Sequence, residues 1–364
     1  MRRKICIVDY NMAVRGGVEQ VTANLSSELT KYYEVHLIGL CQTGALEYTI
    51  DQSVKYTAFL EKEYRLREMR KRCKPLLIDY FRKNNIDVVI IQGNYPGFIV
   101  SAVRGIVKTK LIFCDHGALM NQWKRKDIVV IRWISALSSH RVVTLTQQSR
   151  EDYCRKFYLS PKRVKCIYNW IDTNQTCSNV YAKDSHRIVS AGRFGKEKGF
   201  DLLVKAFFPV AQKHPDWHLD IYGDGEMMSV VKDLISQYRL KDNVHLMGMT
   251  ANLKEYYPSY AMYVLPSYRE GMPLVLLEAK ANRLPIISFD IMTGPREIVR
   301  DGVDGILVPP YDTEKMGDSI CELIEKPERR VSMSERSQEN LKCFSKEMIL
   351  EQWKELIDSL IKNN

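Results

Sequence analysis

The 364-residue sequence has no C-x-x-C pair and no Cys/His run at zinc-ligand spacing; its nine cysteines lie scattered from Cys6 to Cys343. An odd, dispersed set argues against a disulfide framework and for a reducing compartment. Cys6 in KICIVD and Cys114 in LIFCDHG read as small buried hydrophobes. Long apolar runs are also missing. The best, 88–107, is broken by Gly93, Asn94, Pro96 and Arg104, short of the roughly 18 apolar residues of a spanning helix. The start, MRRKICIVDY, has four apolar residues before Asp9, too few for a signal-peptide core, and is expected to be a first buried strand of a cytoplasmic chain. No G-x-G-x-x-G follows that strand, as a nicotinamide dehydrogenase would require; Gly223-Asp-Gly225 lies mid-chain and runs on to Met228. Neither an internal repeat nor a low-complexity tract is visible. The net charge of +10 calls for an anionic partner, yet no zinc-finger spacing or RNP-like aromatic motif accompanies it. That disfavours nucleic acid and leaves a phosphorylated substrate or an acidic membrane surface.

What is present is a rhythm of short apolar strand, turn and amphipathic helix. In the first half the strands are expected at 4–10, 34–40, 87–93, 110–117, 140–146 and 164–170, with helices such as 18–33 and 63–84 between them. The second half repeats the pattern, with strands expected at 187–194, 218–225, 243–249, 261–267, 284–290 and 305–310; after Pro310 the strands stop and only helices follow. Continuous Val/Ile/Leu runs mark strands covered on both faces, and their alternation with helices predicts doubly wound α/β domains. The polar stretch 172–186 separates the halves. Three parts are expected: a domain over 1–175, a second over 176–345, and a terminal helix, 346–364, packing back on the first domain. Ligands of such sheets sit beyond the carboxyl ends of the strands, so residues there are the candidates.

Two segments qualify. In LPSYREGMPLVLLEAKA, Glu270 and Gly271 occupy a loop after a strand, and Pro273 stands where a helix starts. The first N–H groups of that helix favour an anionic or polar ligand, and Glu278, one to two turns inside, suits a vicinal diol such as a ribose. In AGRFGKEKGF, Arg193 leaves a strand end and Lys198 precedes Gly199 and a helix; a guanidinium fork plus a point charge suits a diphosphate. Taken singly, each could be a solvated surface group. Their order and spacing together carry the weight.

AGRFGKEKGFDLLVKAF, IYGDGE and LPSYREGMPLVLLEAKANRLPIISFDIMTGPREIVRDGVDGILVPP together resemble glycosyltransferase family 4, the retaining nucleotide-sugar-dependent transferases of GT-B fold. The resemblance covers 187–310 strongly and the first half more weakly. It implies two Rossmann-like domains with a cleft between them. Arg193 and Lys198 would neutralise the donor diphosphate, and Glu278, second glutamate of an E-x7-E pattern, would bind the ribose. Glu270 with the backbone of Gly271, Met272 and Leu274 would hold the sugar. Gly16 and Gly17 in RGGVEQV resemble the family's glycine pair beside the phosphate and acceptor, and His116 its histidine beside the reacting sugar. No clear D-x-D occurs (Asp224-Gly-Glu226 is a loose variant), so no metal or other cofactor is expected to be required. The segment SFDIMTGPREIVRDG is similar to bacterial polysaccharide enzymes that use UDP-sugars. A GT-B-fold nucleotide-sugar epimerase and a non-catalytic sugar-nucleotide binder are the alternatives.

Two basic stretches of the first half point to the acceptor. EKEYRLREMRKRCK carries Lys62, Arg65, Arg67, Arg70, Lys71, Arg72 and Lys74; MNQWKRKDIVVIRWIS carries Trp123, Lys124, Arg125 and Lys126 ahead of an apolar run ending in Arg132-Trp133. Basic residues beside tryptophan and aliphatics are what an interfacial helix uses. The expectation is peripheral docking on an anionic cytoplasmic membrane face and a saccharide acceptor linked to polyprenyl diphosphate.

Overall fold

The computed structural model describes residues 2–171, 181–250 and 253–362. The chain divides into two compact units, Met1–Asn169 with Glu347–Asn364, and Trp170–Lys346. The boundary expected near residue 175 lies outside the described residues.

The first unit is built on seven parallel strands: β1 Lys4–Asn11, β2 Glu34–Cys41, β3 Lys55–Ala58, β4 Val88–Gln92, β5 Lys110–Asp115, β6 Arg141–Thr144 and β7 Val164–Cys166. Their order is β3-β2-β1-β4-β5-β6-β7. In β1 the run Ile5 to Val8 is wholly buried on both faces, which is why it reads as continuous apolar sequence. Helix Leu66–Asn84 lays Met69, Cys73, Leu77 and Phe81, spaced at i+4, onto the same core. Its last turn closes through Asn85 in the left-handed conformation. Helix Lys346–Lys362 belongs to this unit from Glu347 onward, burying Leu350, Trp353 and Ile357 among others; Tyr33 OH donates to Asp358 Oδ1 at 2.8 Å.

The second unit holds six parallel strands: β8 Arg187–Ala191, β9 His218–Tyr222, β10 Val244–Gly248, β11 Met262–Leu265, β12 Ile286–Phe289 and β13 Gly305–Val308. They are ordered β10-β9-β8-β11-β12-β13. Helices Phe200–Lys213 and Thr313–Glu325 bury Leu203, Phe207, Met316 and Ile320 in one core with Ile188, Leu219 and Val264. Strand order reverses between β1 and β4 in one sheet and between β8 and β11 in the other. These reversals are the topological switch points at which open α/β sheets bind ligands.

Two sequence readings need correction. Arg132 is not a surface cation: it is buried against Asp115, Nε to Oδ2 3.0 Å. Arg70 is engaged too, donating to the Phe98 carbonyl at 2.7 Å with its guanidinium 4.3 Å from that ring. Strand β3 was not expected, because its four half-exposed residues at a sheet edge offer no buried apolar run.

Candidate active site

In the second unit the chain leaves β8 at Ala191, passes Arg193, makes a 3-10 turn over Lys196–Lys198 and enters helix Phe200–Lys213 through Gly199. Gly199 has φ +67, and a Cβ on it would stand 2.1 Å from the Pro266 carbonyl oxygen. Only glycine fits there, and that close approach clamps the β8 loop onto the loop after β11. Tyr268 N donates to the Glu197 carbonyl at 2.8 Å across the same seam.

The clamp sets Lys198 Nζ 2.8 Å from Glu270 Oε1, and Ser267 Oγ donates to that oxygen at 2.7 Å. Thr293, in the loop after β12, donates its hydroxyl to the Glu270 carbonyl at 2.7 Å. Arg193, 73% exposed, reaches Glu197 Oε1 at 3.0 Å. Two cation–carboxylate pairs therefore lie beside the β8/β11 switch point, and loops from three strands fix the Lys198–Glu270 pair.

Helix Leu274–Ala281 begins just beyond. Pro273 is its N-cap with extended backbone, not its first helical residue, and no side chain caps the positive end. Gly271 and Met272 lead into it, Met272 nearly buried. Glu278 Oε2 accepts from Tyr257 OH at 3.3 Å. Burial raises the Glu278 carboxyl above the usual carboxylate range, opposed by the charge of Lys254 and the Tyr257 hydrogen bond. Two residues on, Lys280 is wholly buried with Nζ 2.7 Å from Asp304 Oδ2, an oxygen that also takes Arg300 Nε at 2.6 Å; this pair anchors the helix.

Gly16, Gly17 and His116 belong to the first unit. Gly16 is the N-cap of helix Gly17–Leu29 in extended conformation, and no side chain caps it. His116 follows β5, its Nε2 2.6 Å from Gln92 Oε1 at the end of β4. Burial pushes the imidazole down to about 4, against the opposing charge of Asp115, so the ring is neutral at physiological pH. Asp115 accepts from Tyr153 OH at 2.7 Å and from Gly117 N at 3.1 Å, besides pairing with Arg132. The turn that presents His116 is thus braced from beneath by a buried polar network.

Lys198 and Glu270 are brought into contact, while Arg193 pairs with Glu197 within the β8 loop. Sequence reading missed Glu197, Ser267, Thr293 and Gln92. Ser267, Thr293 and Gln92 each lie at or just past a strand's carboxyl end, but that position alone does not separate a supporting polar side chain from a solvated one.

Residues 15–175 match the model described as Glycosyltransferase Family 4, and 174–340 match Glycosyl transferases group 1. An uncharacterized glycosyltransferase of Methanocaldococcus jannaschii is 31% identical over 83% of this chain and 84% of its own. The Campylobacter jejuni N-acetylgalactosamine-N,N'-diacetylbacillosaminyl-diphospho-undecaprenol 4-alpha-N-acetylgalactosaminyltransferase is 26% identical over 94% of this chain and 96% of its own. Among solved structures, Anabaena HepE in complex with UDP and glucose superposes with a TM-score of 0.83 at 18% identity, over 98% of this chain and all of that one. Two parallel-sheet units with this strand order, matched by these models over 15–340 and by the Methanocaldococcus relative over most of the chain, place the chain in the glycosyltransferase family 4-like group of GT-B fold.

Proposed function

We propose that this glycosyltransferase moves a hexose or N-acetylhexosamine from a UDP-sugar, with retention, onto a saccharide carried on polyprenyl diphosphate in cell-surface polysaccharide synthesis. The observation that carries the donor half is the Lys198–Glu270 contact at the β8/β11 switch point. Lys198 and Arg193 meet the diphosphate, whose departure is the hard step. Cations already in place lower its cost where negative charge develops. Glu278 accepts the ribose hydroxyls; Glu270 and the Gly271, Met272 and Leu274 backbone hold the sugar. Gly16 and Gly17 approach the phosphate, and His116 the reacting sugar. The leaving phosphate takes the acceptor proton on the face it vacates. The fixed cations do the work a metal would otherwise do. The diphospho-undecaprenol named in the Campylobacter relative's activity supports the lipid-linked acceptor, and the UDP in the Anabaena complex supports the donor base.

A thermal-shift panel of UDP- and GDP-sugars, followed by a product assay with EDTA present, tests this. UDP-sugars are expected to raise the melting temperature by mass action, and UDP to be released only when acceptor is added. Sugar isomerisation without UDP release would favour the epimerase, and binding without turnover the passive binder.

The membrane half rests on helix Lys126–Ser138, where Val130, Trp133 and Leu137 are 51%, 46% and 42% exposed on one stripe. Lys126 heads that stripe, and Lys126 and Lys156 both lie over Trp123. Among the described residues no helix is long and apolar enough to cross a bilayer, and this stripe suits surface insertion instead. The protein is expected to float with phosphatidylglycerol vesicles at physiological salt, and Trp133→Ser with Val130→Ser to reduce the floated fraction at least about fivefold. Flotation equal for wild type and variant, or absent from both, sinks this part.

A further inference from the structure

Gln92 ends β4, next to the switch point of the first sheet, and is only 2% exposed. We propose that Gln92 is a positioning residue that locks His116 in a single neutral tautomer, Nε2 protonated and Nδ1 left as an acceptor for a sugar hydroxyl; this rests on the reading of His116 as a site residue.

The argument starts from the 2.6 Å contact between His116 Nε2 and Gln92 Oε1. With the amide turned this way its oxygen faces the ring and has no proton to give, so the imidazole is the donor and its proton sits on Nε2. The other ring nitrogen then carries a lone pair. It can accept from a hydroxyl and cannot donate to one. Gln92 Nε2 finds no partner among the described residues, so the bond to His116 is what orients the amide.

The partner's neutrality matters as much as its position. A carboxylate at this place would also accept from Nε2, but it would draw a second proton onto the ring and turn an acceptor into a cation. The charged neighbour that bears on the ring is Asp115. Its carboxylate is already matched by Arg132 from helix Lys126–Ser138 and bonded by Tyr153 from helix Gln147–Phe157. The surroundings thus withhold the charge that would protonate His116, and Gln92 supplies orientation without adding any. The choice of glutamine over glutamate follows from that need.

Imidazole nitrogen NMR on the 15N-histidine-labelled protein tests this, with His116→Ala to assign the signal. In the wild type the resonances report Nε2–H, Nδ1 bare, at neutral pH. Gln92→Leu leaves both tautomers populated and lowers kcat about tenfold or more, the usual scale for losing a group that orients a functional histidine. Gln92→Glu, nearly isosteric, raises the ring's titration midpoint and moves the acid limb of kcat upward by at least about one pH unit, with donor KM changed less than about threefold. A wild-type Nδ1–H tautomer overturns the proposal, as do tautomer and kcat profiles unchanged in both variants. If His116→Ala itself turns over normally, the site reading fails, and the NMR result still decides what Gln92 does to the ring.

Discussion

Lys198→Met is expected to lower kcat by about 10²–10³, which is about 3–4 kcal/mol of lost transition-state stabilisation. The ammonium is held 2.8 Å from Glu270 by a loop that Gly199 clamps in place, so it need not reorganise when the donor's diphosphate takes on charge. An interaction that strengthens as the bond breaks shows in kcat more than in KM. The loss has a second component. Without Lys198 the Glu270 carboxylate, 10% exposed, faces an incoming diphosphate as a like charge with no ammonium at its Oε1. Glu270→Gln added to Lys198→Met should therefore cost less than the sum of the two single changes, a coupling that steady-state kinetics of the four proteins measures directly. Lys198→Arg should rescue only partly, since a planar fork does not fill the place of a point charge. Arg193→Met should cost far less, because that guanidinium is 73% exposed and screened by solvent. A Lys198→Met enzyme within about threefold of wild-type kcat would remove this residue from the chemistry.

The fold was legible because buried parallel strands write themselves as apolar runs. All six strands expected in the second half are present, and six of the seven in the first. The errors fall mostly at one end. Expected strands ran on to 194, 225 and 267, whereas the ladders stop at Ala191, Tyr222 and Leu265. Those overshoots are the loops that hold the candidate site. Gly223 and Gly225, with φ of 135 and 152, turn the chain away from the sheet in a segment whose composition still looks strand-like. The motif residues Arg193, Lys198 and Glu270 could be picked out because charge after a strand end is conspicuous, and Glu278 because it lies one to two turns inside the helix that follows. Ser267, Thr293 and Gln92 could not, since a neutral polar side chain at a strand end looks the same whether it faces water or supports a carboxylate. Burial and partner are properties of the folded chain, and single-sequence patterns carry little of either.

Arg132→Met is expected to destabilise the first unit by about 3–5 kcal/mol, the cost of leaving one member of a buried ion pair without the other. Arg132 and Asp115 are each 1% exposed, and the guanidinium also donates to Asn94 Oδ1 at 3.2 Å. Methionine restores most of the volume but none of the charge, so Asp115 keeps only Tyr153 and Gly117 N. The unfolding temperature should fall by about 10 °C, read by circular dichroism or scanning calorimetry. Asp115→Asn combined with Arg132→Met should recover part of that, because no buried charge is then left unmatched. Arg125→Met is the control seven residues earlier. Its pair with Asp127 is 64% and 60% exposed and should be worth no more than about 1 kcal/mol. Both arginines fall in the one basic stretch read from the sequence as an interfacial helix, yet one is 64% exposed and the other 1%. The consequence reaches the proposed chemistry as well. Asp115 Oδ1 accepts from Gly117 N at 3.1 Å, fixing the turn that presents His116. Arg132→Met should therefore lose kcat even at temperatures where circular dichroism shows it folded, whereas Arg125→Met should keep it. Equal melting of the two variants would mean that the buried pair contributes no more than an exposed one.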